Sequence, residues 1–456
     1  MKLKGLAIVA VAMSMMTAPA AQAESLSDAL ASAYNNSGLL DQNRALLRAA
    51  DEGVAQSMAA LLPVIGWSWT ASRTRRSEDS LFSPELQDTS VARVTGSLTL
   101  YDGGASKLAT EAQKEIVLST RQSLRNVEQS VLLRAVQSYM NLISAREFVQ
   151  LRENNVRLIT QEFRAAQDRF EVGEVTRTDV ALAEARLAAA RSLLAAAQGD
   201  LAVSAEEFRA AVGRAPESPR AVTAAPVSRS LNDAKAFAVR NHPSILEAQH
   251  NVSAAELNIQ RAQAAVNPTV SLDGFYSRDR DYNGTLQTGV TISGPIYRGG
   301  SISSQVRQTR ANRDAARSGL HLSIIAIEQQ VASAYARLQV ARATREASEQ
   351  QISAATVAFQ GVREEATLGS RTTLDVLNAE QELLDARANR IAAQSDEVVA
   401  SYSVLSAMGL LTADHLNLGV QQYDPSEYYN LVKNAPIQRS PQGDALERIL
   451  ESIGQD

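Results

Sequence analysis

The 456-residue sequence contains no cysteine. That excludes disulfides, thiol nucleophiles, cysteine-bound metal and a lipid attached through cysteine. Histidine is scarce as well. His242, His250, His321 and His415 show no H-E-x-x-H spacing, and no P-loop is present. His242 precedes Pro243 at a helix start and His321 lies mid-helix, so surface or packing roles are expected for them. The expectation is therefore no enzyme, no metal, no cofactor and no nucleotide hydrolysis by this chain. Basic residues are not in excess either. Lys and Arg number 45 against 50 acidic residues, a net charge of −5, which argues against a nucleic-acid partner. Beyond Gly5–Met16 there is no stretch approaching ~20 apolar residues, so no membrane-spanning helix is expected.

What is present begins with a leader pattern. Lys2 and Lys4 precede the apolar run, and the small-x-small sequence Ala21-Gln22-Ala23 follows. This reads as a secretory signal over 1–23, with the mature chain starting at Glu24. The remainder is rich in Ala, Leu, Gln, Arg and Glu, with aromatics at only 5%, a composition that favours long helices.

The chain is written twice. Ser25-Leu26-Ser27-Asp28-Ala29 returns as Ser230-Leu231-Asn232-Asp233-Ala234, an offset of 205 that Pro63/Pro268 and Ser72-Arg73/Ser277-Arg278 share. The offset then falls to 196, which relates Tyr101-x-Gly103-Gly104 to Tyr297-x-Gly299-Gly300, Tyr139 to Tyr335, Gly173 to Gly369 and Gly213 to Gly409. The first copy thus carries nine extra residues between Arg73 and Tyr101. Between 173–191 and 369–387, nine of 19 positions are identical, too many for coincidence in an alanine-rich helix. The divisions expected are a first repeat at 24–212, a proline-rich linker at 213–229, a second repeat at 230–418 and a C-terminal equatorial or flexible tail at 419–456, flexible over 433–456. A short helix is expected at 444–453 within that tail.

Each repeat has one plan. A helix over 26–60 ends at Pro63, two strands follow, and Gly103-Gly104 opens a stretch to about Val172 without proline or glycine. At 1.5 Å per residue that stretch would reach roughly 100 Å, too long for an ordinary globular core. It breaks at Gly173 and a further helix runs to Gly213. The second copy predicts helix 231–265, strands near 268–281 and 285–297, helix 301–367, a break, and helix 373–408. The strands alternate strictly. Ile65, Trp67, Trp69 and Ala71 form one apolar face; Ala92, Val94, Gly96, Leu98 and Leu100 form another. Val270, Leu272, Gly274 and Tyr276, then Leu286, Thr288, Val290, Ile292, Gly294 and Ile296, repeat the pattern in the second copy. Single strands of this kind also occur in soluble sheets. Their number is more telling: four cannot close a barrel, and an open edge is forbidden in lipid, so strands that enter a membrane must be pooled by several chains.

Together these features resemble the TolC family of outer-membrane channel proteins. The resemblance runs to about Leu418. It rests on the duplicated plan, the strand-entering Pro63 and Pro268, the strand-leaving Gly103-Gly104 and Gly299-Gly300, and two turn motifs, Val172-Gly173…Asp179-Val180 and Leu368-Gly369…Asp375-Val376. It implies a mainly α protein with a transmembrane β part. Four strands per chain would enter a twelve-stranded barrel of a homotrimer in the bacterial outer membrane, with a long α-helical barrel crossing the periplasm. Apolar strand faces would meet outer-membrane lipid. Loops 74–90 and 279–284 would be external, and Trp67 and Trp69 would lie in the headgroup belt or among other lipid-facing aromatics.

The turns have a local reading too. Gly173 and Gly369 suit the left-handed residue that ends a helix. Thr176 with Asp179, and Thr372 with Asp375, have capping-box spacing. By resemblance, the turns at Val172, Gly173, Thr176 and Leu368, Gly369, Thr372 form the periplasmic tip and dock an adaptor protein. Asp375 matches a family position ringing the narrowest point, where three carboxylates would favour cations. A second family aspartate is Asn378 here, and a latch tyrosine is Ala366. Arg371 matches a family arginine that ties neighbouring helices shut, with Asp179 as the expected partner.

The function expected is a passive exit duct for a tripartite export system, fed by an inner-membrane ABC transporter through the adaptor. Type I protein secretion is placed first, because Tyr423-Asp424-Pro425…Tyr428-Tyr429…Val432 resembles tails of that branch. The alternatives are a small-molecule efflux channel paired with a proton-driven pump, and a soluble periplasmic coiled-coil adaptor or structural rod.

Overall fold

A computed structural model describes residues 24–76, 85–437 and 439–453. The expected signal at 1–23 lies outside the described residues. In chain order the elements are α1 (Leu26–Asn36), α2 (Gly38–Ala59), β1 (Val64–Arg76), β2 (Glu85–Tyr101), α3 (Ala105–Glu171), α4 (Arg177–Val212), α5 (Leu231–Asn241) and α6 (Pro243–Ala264). Then follow β3 (Thr269–Asp279), β4 (Gly284–Ser293), α7 (Ser301–Thr367), α8 (Thr373–Ala407), α9 (Pro425–Val432) and α10 (Pro441–Ile453). α3 and α7 each run for 67 residues without a break.

Two expected helices are in fact broken pairs. The helix placed at 26–60 stops at Asn36, and Ser37, in an extended conformation, caps α2 by accepting from the Leu40 amide. The helix placed at 231–265 stops at Asn241. Pro243 forces the preceding His242 out of helical ψ, to 128°. His242 then caps α6 through Nδ1, which accepts from the Ser244 amide at 3.2 Å. This imidazole is 5% exposed, and burial lowers its pKa to about 4. β4 ends at Ser293 rather than near 297, because Gly294-Pro295 follows and proline has no amide to donate. The first hairpin is longer than expected, with β1 reaching Arg76 and β2 beginning at Glu85. Asp88, within the region assigned to a loop at 74–90, pairs across the strands with Arg73 at 2.6 Å.

Contacts divide the chain into two compact units that cut across the sequence repeats. One, the hairpin unit, takes the chain to Ala33, Ala135–Ala224 and Arg345–Val398. The other, the sheet unit, takes Tyr34–Arg134, Ala225–Thr344 and the chain from Val399.

In the sheet unit the strands form one antiparallel sheet in the order β1-β2-β3-β4. The register lines the apolar residues into rows: Trp67 opposite Val94, Val94 opposite Tyr276, Tyr276 opposite Leu286. A second row joins Leu98, Leu272 and Val290. All of these but the half-buried Leu98 stand exposed, Trp67 at 82% and Leu286 at 74%, so one face of the sheet is an uncovered apolar surface. The opposite face is polar, with Arg93 stacked 4.4 Å from the Phe275 ring. Among the described residues no helix is long and apolar enough to cross a membrane. The turns between strand and helix use positive φ at Gly103, Gly104, Gly299 and Gly300. Asp102 caps the first turn of α3 by accepting from the Gly104 and Ser106 amides at 3.0 and 2.7 Å.

In the tail the short helix expected at 444–453 is present as α10, and its Leu446 is packed although 433–456 was expected to be flexible. Tyr428 and Val432 of α9 are buried against Ala55 of α2, with Leu446 of α10 packed beside them. Tyr428 Oη donates to Glu52 at 2.7 Å, and Arg121 donates to the Pro425 carbonyl at 3.1 Å. An aromatic-rich segment next to an apolar helix face loses more by staying in water than by ordering.

Two glycines with the same backbone conformation make a test of packing. Gly369 (φ +80°) has open space where a Cβ would stand. Gly409 (φ +77°) would bring that Cβ to 3.0 Å from Pro243 Cδ and 3.2 Å from His242 Cα. Gly369→Ala is expected to cost the left-handed penalty alone, about 1 kcal/mol. Gly409→Ala should cost clearly more, read as a larger drop in thermal midpoint and in folded yield.

Candidate functional site

The two sequence motifs fold into matching reversals in the hairpin unit. α3 and α4 form one hairpin, and α7 and α8 form the other. At the first turn the Gly173 amide donates to the Phe170 carbonyl and the Glu174 amide to the Arg169 carbonyl, at 3.0 and 2.9 Å. At the second, Gly369 donates to Ala366 and Ser370 to Glu365, at 3.1 and 3.0 Å. Both are Schellman closures around a left-handed glycine, φ 79° and 80°. Each following helix starts in a capping box. The Asp179 amide donates to Thr176 Oγ1, and the Thr176 amide donates back to Asp179 Oδ2 at 2.9 Å. Thr372 and Asp375 repeat this at 3.2 and 3.0 Å. Immediately before the left-handed glycines, Val172 and Leu368 project into solvent, 71% and 85% exposed.

The structure does not join Arg371 to Asp179. Arg371 Nε donates to Glu365 Oε2 at 2.9 Å across its own turn, and Asp179 is occupied by Thr176. A long exposed guanidinium takes the carboxylate that its own reversal brings near, while Asp179 Oδ2 is engaged by the amide and hydroxyl of Thr176. Asp375 is likewise committed to its cap, and the Thr372 amide and hydroxyl hold its pKa below the ordinary aspartate value. Asn378 does bridge the hairpins: its Oδ1 accepts from Arg186 of α4 at 3.2 Å.

Behind the turns the hairpins interlock through apolar layers. Leu377 of α8 packs with Ile159 of α3 and with Leu187 and Ala190 of α4. Phe359 and Ala355 of α7 pack with Val376, Leu383 and Ala386 of α8. Further along, Leu384 and Ile391 of α8 pack on Leu151 of α3. One layer is polar. Asn155 lies between Leu151 and Ile159 on α3, and Glu380 lies between Leu377 and Leu384 on α8. Asn155 Nδ2 donates to Glu380 Oε1 at 3.0 Å, and Glu380 is only 3% exposed. Arg363 of α7 reaches Glu162 of α3 at 4.0 Å nearby. Burial, reinforced by the charge of Glu162, raises the Glu380 pKa to about 7. Sequence reading missed this layer. Its signal was two polar residues on stripes that are otherwise apolar at three- and four-residue spacing.

A sheet with one uncovered apolar face and two edges unpaired within the chain, carried by a protein whose other unit is made of paired long-helix hairpins, defines a channel-forming membrane protein of mixed β and α wall. A family model described as outer membrane efflux protein matches residues 29–214 and 237–410, and the chain belongs to that family. It is 36% identical to the outer membrane efflux protein BepC of Brucella suis over 92% of this chain and 93% of that one. It is 24% identical to the alkaline protease secretion protein AprF of Pseudomonas aeruginosa over 80% of each chain. Its fold matches the CmeC outer membrane channel of Campylobacter jejuni with a TM-score of 0.76, at 16% identity and 90% coverage of both chains. The protein is thus an outer-membrane efflux channel of the kind that serves tripartite export with periplasmic adaptors and inner-membrane transporters.

The caps set the acid limit of the turns. Hydrogen bonds from Thr176 and Thr372 lower the Asp179 and Asp375 pKa values below the ordinary 3.8. A depressed carboxylate stabilises the fold above the unfolded value and loses that contribution as pH falls through the lower native one. Protection of the amides in the first turns of α4 and α8, relative to their intrinsic exchange rates, should therefore fall only below about pH 4. Thr176→Val removes one cap, and at neutral pH should speed exchange there by about fivefold, the equivalent of ~1 kcal/mol.

Proposed function

We propose that the chain is the outer-membrane exit duct of a tripartite export system and works as a homotrimer. Three chains pool their strands into a twelve-stranded barrel, and their hairpin units form the helical wall on the periplasmic side. The observation that carries this reading is the sheet itself. Four strands are too few to close, and their apolar rows and unpaired edges are tolerable in lipid only when other chains complete the barrel. The exposed Val172 and Leu368 turns are the docking points for the periplasmic adaptor, which links the duct to an inner-membrane transporter that supplies the energy. Asp375 lines the periplasmic entrance, where threefold symmetry would gather three carboxylates; with Asn378 one turn on, only one acidic ring forms.

Small-molecule efflux is the cargo class supported first, by the 36% identity to an efflux protein along nearly the whole chain. A proton-driven pump would then be the partner. Type I secretion of a protein, with an ABC transporter, is the second reading. It is supported by the tail motif around Tyr428 and by the 24% identity to a protease secretion protein.

Deleting the gene decides between them. Efflux predicts hypersensitivity to drugs and detergents with secreted proteins unchanged; secretion predicts the reverse, and no phenotype in either assay would contradict the duct. In planar bilayers Asp375→Asn should reduce the preference for cations over anions with little change in thermal stability. An unchanged reversal potential would remove Asp375 from the entrance.

A further inference from the structure

The polar layer formed by Asn155 and Glu380 is costly and unexplained by folding alone. On α8, Glu380 takes the position that a leucine holds one layer to either side, at Leu377 and Leu384, and both of those pack on α3. A buried polar residue in a helical seam fixes which layers face each other at the expense of stability. Here the residue is ionisable. One carboxyl oxygen accepts from Asn155 Nδ2 at 3.0 Å, while the other, Oε2, is buried and has no protein hydrogen-bond partner. Each of the three other hairpin helices presents a charged group to it: Glu162 from α3, Arg186 from α4 and Arg363 from α7, beside Glu380 itself on α8. The two arginines favour the charged form, but Arg186 is engaged by Asn378 and Arg363 by Glu162. Burial and the like charge of Glu162 prevail, and both favour the neutral acid.

We propose that Glu380 is a positioning residue of the periplasmic gate, a clamp that holds α8 against α3 while its carboxyl is neutral and releases the hairpins as it becomes charged. Neutral, Glu380 keeps the Asn155 hydrogen bond and places no net charge in the buried seam. Charged, it leaves an unsatisfied oxygen in the seam next to another carboxylate, and parting of the hairpins lets water reach both. The sign follows from linkage. In the parted state Glu380 has its ordinary value of 4.5, whereas in the clamped state the value is about 7. Between those values the clamped form holds an extra proton, so the parted population rises by up to tenfold per pH unit. Above about pH 7 both forms are charged and the population levels off. Acidification therefore tightens the clamp. The Asp179 and Asp375 caps titrate below this window and do not contribute to it. The inference rests on the reading of the turns as the periplasmic entrance of the duct, which parting of the hairpins opens and so makes a gate.

Because the chain has no cysteine, Val172→Cys and Leu368→Cys place one spin label on each exposed turn without background. Pulsed dipolar distances are measured on the full-length protein in detergent from pH 5 to 8, alongside bilayer conductance. The parent should show longer, broader distances as pH rises from 5 to 7 and no further change above 7. Glu380→Gln, a neutral isostere, should hold the short distances throughout. Glu162→Gln should shift the transition to lower pH, and it keeps the test open if Glu380→Gln does not assemble. A parent insensitive to pH, or a Glu380→Gln profile equal to the parent's, would overturn the clamp. Distances that follow the prediction while conductance stays flat would keep the clamp and remove the gate.

Discussion

The structure depends first on the unpaired edges of a four-stranded sheet. In water a free edge is solvated; in lipid each unpaired N–H and C=O costs several kcal/mol. The rows from Trp67 through Val94 and Tyr276 to Leu286 offer lipid an apolar surface, but β1 and β4 end in open edges within the chain. Closure must come from other copies, and the duplicated sequence explains how so few strands suffice. Each repeat contributes one hairpin, and the two hairpins pair through β2 and β3 into half of what a small membrane barrel requires.

The helical part answers a different demand. Helices of 67 residues cannot fold onto a globular core, so they are stabilised in layers along their length. Their ends are specified chemically. A left-handed glycine, a Schellman closure and a Thr-Asp capping box recur at both reversals, which satisfies the backbone groups a sharp turn would otherwise leave unpaired. With the turns closed internally, the side chains at their apices are free for contacts with other molecules. The layers behind them are mainly apolar, and Asn155 and Glu380 place a buried carboxyl among them. That carboxyl stands close to the reversals, where a departure from good packing has the most leverage on whether the hairpins stay together.

Much of this was legible in the sequence, and the limits have physical causes. Strand alternation, the paired glycines and the Thr-x-x-Asp spacing act over a few residues, so they could be read directly. The break at His242-Pro243 was legible in principle, since proline acts on its predecessor; the break at Ser37 was not, because serine also sits comfortably within helices. The partner of Arg371 could not be read, because a flexible exposed cation selects among several carboxylates by small differences in reach, and Glu365 lies across its own turn. Glu380 escaped because one charged residue on a helix is ordinarily solvated; only its facing helix shows that it is enclosed. The ordering of α9 depends on Ala55 and Glu52, far away in sequence.

The most direct test of the central claim is the number of chains that complete the barrel. Native mass spectrometry of the protein extracted from outer membranes in mild detergent should show a species of three chains. Cysteines introduced along β1 and β4 should form disulfides only between chains. A monomer released without detergent, or crosslinks closing β1 onto β4 within one chain, would contradict the account.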